Sequence, residues 1–170
     1  MIKRKLLILS LFLSFMSSYA QIDLPYKWAM GKFYRVGLEK LYQIDNYVKP
    51  TALQADFNGD GEVDIAFVIF EKASQKKGII IFHANADTYF ILGAGQAFQE
   101  VGDDFTWTSK WALYKKASAH QAVFDKKTGD IIGTKKVKLI HPGIQILDEG
   151  GDGCIIYWDG IKYISIHHGE

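Results

Sequence analysis

From Thr51 onward the chain is written as short β-prone runs broken by Gly, Asp and Asn, a grammar that restricts it to antiparallel sheets joined by tight connections. The runs span 51–57, 63–70, 79–82 and 89–92 in the first half, then 121–125, 131–140, 145–147, 154–158 and 162–167 in the second. Turns are expected at Gly78 with Lys76 and Lys77 before it, at Asn85-Ala86-Asp87, and over the polar stretch from Asp125 to Asp130. The strongest hairpin signal runs from Ile155 to Ile166. There Asp159-Gly160 suits a type I′ turn, and Tyr157, Trp158 and Tyr163 can pair across the ladder. No run repeats another, which excludes a complete propeller or solenoid.

Residues 28–45 follow a different period. Trp28, Phe33, Val36, Leu38, Leu41, Tyr42 and Ile44 recur among charged residues at a spacing nearer 3.6 than 2, which predicts an amphipathic helix ended by Lys49-Pro50 at the latest. The expected fold is α+β, an N-terminal helix packed on antiparallel β-sheets built from meanders and hairpins, with a pure β-sandwich as the alternative if 28–45 is extended. Residues 93–120 stay open, because Gly93, Gly95 and Gly102 break the pattern and 103–111 reads as strand or short helix. Trp107 and Trp111 fit a core stripe, with the wall of a surface cleft as the other reading.

The first twenty residues read as a cleavable export signal: Lys3 to Lys5 form the basic start, Leu6 to Met16 the apolar stretch, and Ser18-Tyr19-Ala20 the cleavage site. That stretch falls well short of the roughly 20 residues a membrane helix needs, so no membrane insertion is expected after cleavage. Residues 21–170 would then form one domain, periplasmic or secreted. With Lys3, Arg4 and Lys5 gone, 17 basic residues face 19 acidic ones. No broad basic field remains for nucleic acid, and Lys76, Lys77, Lys126, Lys127, Lys135, Lys136 and Lys138 most simply keep turns and edges soluble. Cys154 is the only cysteine, so no internal disulfide forms, and its apolar neighbours mark it as a small buried hydrophobe.

One constellation carries specific chemistry, Asp56-Phe57-Asn58-Gly59-Asp60-Gly61-Glu62-Val63-Asp64. Calcium is a hard cation that takes six to eight oxygens. Side chains of Asp56, Asn58, Asp60 and Asp64 can supply them with the Glu62 carbonyl, while Gly59 and Gly61 permit the sharp turns. A solvated hairpin loop with Asx turns is the plainer alternative. Position twelve is Phe67, where a helix-loop-helix calcium site needs a bidentate Glu. The segment from Ala55 to Ala66 instead resembles the D-x-[DN]-x-D-G-x-x-D loop of the FG-GAP or VCBS class, which usually repeats around an integrin-like propeller and binds calcium in domains for adhesion or glycan recognition. One copy, over about residues 52 to 70, implies the local metal loop and not the propeller. More loosely, the whole chain resembles small exported bacterial proteins with one such loop and a terminal Tyr157-Trp158-Asp159-Gly160 hairpin, a likeness that assigns no activity.

No reaction motif emerges. His83, His120, His141, His167 and His168 lack zinc spacing and read as surface or edge histidines. Ser109 and Ser165 lack a nucleophile context, and the glycines at 93–95 and 150–153 lack the lysine of a phosphate loop. The expectation is a non-enzymatic exported binding or structural domain with one calcium-stabilised loop, its partner a protein or a glycan. An inhibitor or immunity protein capping a periplasmic enzyme is a specific alternative, and a small secreted hydrolase with converging ionisable groups is the competing class.

Overall fold

The computed structural model describes residues 26–168. The expected signal segment lies outside them. Helix α1 spans Lys27–Arg35 and buries Ala29 and Phe33. It is shorter than the 28–45 period suggested, because Gly37 takes a left-handed φ of 77° just beyond the Val36 cap. A single 3₁₀ turn at Leu38–Lys40 follows, and the chain then enters strand β1, Tyr42–Ile44.

Strands β2 (Ala52–Ala55), β3 (Asp64–Glu71), β4 (Lys77–Phe82) and β5 (Tyr89–Gly93) complete the first sheet. All its pairings are antiparallel, with β3, β4 and β5 forming a meander. Both β1 and β2 pair with β3, β1 along Ile69–Glu71 and β2 along Asp64–Phe67. Gly78, expected in a turn, lies inside β4 opposite Gly93, where a Cβ would sit 2.4 Å from the Ala94 nitrogen.

The second sheet holds β6 (Lys110–Tyr114), β7 (Ser118–Phe124), β8 (Ile131–Lys138), β9 (Gly143–Leu147), β10 (Gly153–Trp158) and β11 (Tyr163–His168). Their order is β6-β9-β10-β11-β7-β8, all antiparallel. Strand β8 is an edge, and Lys135, Lys136 and Lys138 along it are exposed, as the solubility reading anticipates. The Trp158–Tyr163 pair closes the last hairpin with ring centroids 5.1 Å apart. Its turn sits one residue later than the type I′ reading places it. The Asp159 N–H donates to the Lys162 carbonyl, the Asp159 carboxylate accepts from Ile161 and Lys162, and Gly160 alone takes a positive φ.

Period-two alternation builds three layers. Ile65, Phe67 and Ile69 of β3, with Ile80 and Phe82 of β4, pack against Phe33 and Leu38 beneath α1. Their neighbours Ala66, Val68, Ile79 and Ile81 face the other way, onto Ile144, Ile146, Cys154 and Ile156 of the second sheet. Burial on both faces explains why β3 and β4 read as nearly continuous apolar runs. The fold is α+β, an N-terminal helix on antiparallel sheets built from hairpins, none closed into a barrel. Among the described residues no helix is long and apolar enough to cross a membrane.

Candidate functional site

The 56–63 segment closes the β2–β3 hairpin, whose last pair is Ala55 with Asp64. Gly59 and Gly61, at φ of 79° and 91°, turn the backbone inward. The Asp56 carboxylate then gathers the loop's amides: Oδ1 accepts from the N–H groups of Gly59 (2.6 Å) and Asp60 (3.0 Å), and Oδ2 from Gly61 (2.9 Å). Asn58 Oδ1 accepts from the Asp60 N–H at 3.0 Å, while its Nδ2 donates to Asp60 Oδ2 at 3.0 Å. Asp60 Oδ1 accepts from the Glu62 N–H at 2.9 Å. That bond, with the Asn58 amide, holds the Asp60 carboxyl below its usual range.

Asp64 differs from the other three in being fully buried. Its Oδ2 accepts from the N–H groups of Phe57 (2.9 Å) and Asn58 (3.3 Å), and its Oδ1 from Ala84 (3.0 Å). One carboxylate therefore fastens the acidic loop to the segment that follows β4. Burial raises its pKa, opposed by the Ala84 N–H and by nearby His83. Of the residues singled out from sequence, Asp56, Asn58 and Asp60 share one hydrogen-bonded turn, and Asp64 sits beneath it. Glu62 enters through its N–H, which donates to Asp60. The donor set is all hard oxygen, as calcium needs, although among the described residues no three His, Cys, Asp or Glu side chains already converge as a metal cage.

Two histidines adjoin this loop; for His83 the structure corrects the reading as a surface or edge residue, while His141 is half-buried. His83 is buried beside Phe90, Trp158 and Tyr163, with Nε2 2.8 Å from the Tyr163 hydroxyl. Burial lowers its pKa, opposed first by the Asp64 charge. His141 stacks on Tyr157 with centroids 4.7 Å apart, and a Cβ at Gly59 would lie 3.1 Å from its Cδ2. Sequence gave no signal for either, since both depend on segments remote in the chain.

Elsewhere the ambiguous residues separate. Trp111 is buried, its Nε1–H donating to the Pro50 carbonyl at 2.6 Å, whereas Trp107 stands half-exposed. Cys154 is buried, and that burial pushes its thiol up to about 12. The Ser165 hydroxyl bonds to Gln99 and Glu100, and the Ser109 hydroxyl donates to the Leu147 carbonyl. No protein-family model, no curated protein and no solved structure matches the chain.

Proposed function

We propose that the protein is an exported, non-enzymatic binding domain, periplasmic or secreted, whose 56–64 loop takes one structural calcium ion. The observation that carries this reading is the loop itself. Asp56, Asn58 and Asp60 place their side-chain oxygens in a single turn, and Asp64 ties that turn to Ala84. Calcium bound by Asp56, Asn58, Asp60, Asp64 and the Glu62 carbonyl would neutralise carboxylates that the loop holds close together. Because the unfolded chain offers no such loop, binding would stabilise the β2–β3 hairpin by mass action. All protein ligands come from one hairpin, which suits the weak affinity of extracellular modules, on the order of 10⁻⁴ to 10⁻³ M.

The test is thermal unfolding of the purified, metal-free protein with and without about 2 mM calcium, a concentration above that affinity range. The expected result is a higher midpoint with calcium, and no such rise in Asp60→Asn. An unchanged midpoint together with no calorimetric heat of calcium binding would reduce residues 56–64 to an acidic turn.

A further inference from the structure

The β7–β8 ribbon differs in chemistry from the rest of the molecule. Residues 115–138 hold seven lysines against two acidic residues, whereas the remainder of residues 21–170 holds ten basic and 17 acidic ones. All seven lysines are exposed, and the ion pairs among the described residues lie elsewhere, at Arg35–Asp87 and Lys76–Asp103. Of the two carboxylates, that of Asp125 is spent in the turn, where Oδ1 accepts from the N–H groups of Lys127 and Thr128. The same ribbon bares four large apolar side chains next to that turn: Val123 is 37% exposed, Phe124 45%, Ile131 60% and Ile132 64%. Phe124 pairs with Ile131 and Val123 with Gly133, so the four stand together at one end of the ribbon. Strand β11 pairs with β7 only at His168 and Gln121, and beyond Gln121 each strand of the ribbon pairs with the other alone among the described residues.

Edge protection explains part of this. Strand β8 is an edge, and charge along an edge keeps it from pairing with another chain. That accounts neither for Lys126 and Lys127, which lie in the turn, nor for isoleucines left in water beside them. Val123 and Phe124 are successive residues of one strand, so their side chains leave opposite faces of the ribbon. A groove on a partner protein covers one face, whereas a medium that surrounds the ribbon end covers both. Positive charge around an apolar end selects such a medium, the border of an acyl-chain layer beneath anionic headgroups.

We propose that the 122–134 end of this ribbon docks the protein on an anionic lipid bilayer, its four apolar side chains entering the boundary between headgroups and acyl chains and its lysines meeting lipid phosphates. The ribbon enters the border of one leaflet and does not cross the bilayer. A lysine stem lies along apolar surface while its ammonium stays among the headgroups, which lets the turn lysines flank a buried apolar band. Each lysine near an anionic surface is worth about fivefold in affinity, an attraction that fades within a Debye length of about 10 Å at 0.1 M salt. The acidic remainder of the chain is repelled, which turns the ribbon toward the membrane. The proposal rests on the reading of the chain as an exported binding domain, for which it names the partner, and needs no calcium.

The test is co-sedimentation of the purified protein, in chelator, with vesicles of phosphatidylcholine alone and of phosphatidylcholine with about 30% phosphatidylglycerol, at about 0.1 M and about 0.5 M salt. Binding is expected to the anionic vesicles only, weakened by about tenfold or more at the higher salt. Gln in place of Lys126, Lys127, Lys135 and Lys136 together weakens it by about tenfold or more, while Gln in place of the exposed Lys40, Lys49, Lys72 and Lys110 changes it by less than about twofold. Ile131→Ser with Ile132→Ser weakens it by about tenfold with every lysine intact. Thermal midpoints verify that each variant is folded, and the lysine variant decides alone if the serines lower the midpoint. No binding to anionic vesicles, or binding that survives the ribbon substitutions, overturns the proposal; attachment through residues 6–16 would survive them. So does saturable binding of polyglutamate at these lysines without binding to vesicles, which assigns the ribbon to an acidic protein. The calcium-dependent midpoint on the same samples separates the two readings: its absence with vesicle binding retained removes the metal loop alone, and its presence without vesicle binding removes the membrane surface alone.

Discussion

His83 Nε2 lies 2.8 Å from the hydroxyl of Tyr163, a hydrogen bond that crosses from the residue after β4 to the first residue of β11 and so joins the two sheets inside the core. Around it stand Phe90 and Trp158, each with its ring about 5 Å from the imidazole. Tyr163→Phe keeps the ring and removes the hydroxyl, leaving a buried imidazole nitrogen without its partner. The expected loss is about 1–3 kcal/mol in urea unfolding. An unchanged midpoint would mean that this bond contributes nothing to joining the sheets.

Stability should depend on pH with a defined sign. Burial holds both His83 and His141 below the usual 6.5. Near pH 6.5 the unfolded chain takes up protons that the folded chain refuses, so their contribution is whole above 6.5 and is lost as pH falls from there through the folded values. Asp64, raised from 3.8, acts in the opposite sense, its contribution fading as pH rises from there through its folded value. Urea midpoints measured from about pH 8 down to about pH 5 should fall, and His83→Gln with His141→Gln should flatten that fall. An equal slope in the double variant would place the titration elsewhere.

Asp64→Ala removes the acceptor for the Phe57 and Ala84 amides at once. A destabilisation of about 2–5 kcal/mol is expected, with an intermediate cost for Asp64→Asn, which keeps one acceptor oxygen. Hydrogen exchange should quicken at both amides together in the alanine variant. Quickening at Phe57 alone would show that the segment after β4 is held by other contacts.

Gly59 and Gly61 share left-handed backbone but differ in surroundings. Alanine at either position costs about 1–2 kcal/mol of backbone strain. At Gly59 the new Cβ also meets His141 at 3.1 Å, whereas at Gly61 nothing lies within 4 Å. The unfolding midpoints should therefore fall in the order wild type, Gly61→Ala, Gly59→Ala. Equal midpoints for the two variants would show that the His141 ring gives way.

Cys154, buried in the inter-sheet core with its thiol pushed up to about 12, should resist a disulfide reagent in the native protein. Labelling should proceed only as denaturant opens the core. Fast labelling without denaturant would mean that β10 parts from its neighbours far below the global transition.

The strands were legible because burial is written into their composition. Ile65, Phe67 and Ile69 face the helix while Ala66 and Val68 face the other sheet, so β3 could only be an apolar run. The helix ends before its apolar spacing does, for a physical reason. Leu38 and Leu41 continue the helical spacing, but Gly37 has already ended the helix, and Tyr42–Ile44 is claimed by pairing with Ile69–Glu71, which no local period can register. Gly37 was the available signal. Asp56, Asn58 and Asp60 stand out because Gly and Asp at alternate positions leave a local trace, whereas His83 and Tyr163 meet only after both sheets are assembled. Trp107 and Trp111 look alike in sequence, and only the assembled fold tells them apart, burying Trp111 against the Pro50 carbonyl and leaving Trp107 half-exposed.

The two sheets are drawn from stretches of chain that do not overlap, β1 to β5 from residues 42–93 and β6 to β11 from residues 110–168. Each can therefore settle its pairings within its own stretch before either needs the other, although β6 must reach β9 and β7 must reach β11 across the intervening strands. What remains is a docking step between two preformed surfaces. The stretch made first must wait for it with Ala66, Val68, Ile79 and Ile81 bare, and that waiting face is the period of greatest aggregation hazard in the life of this chain.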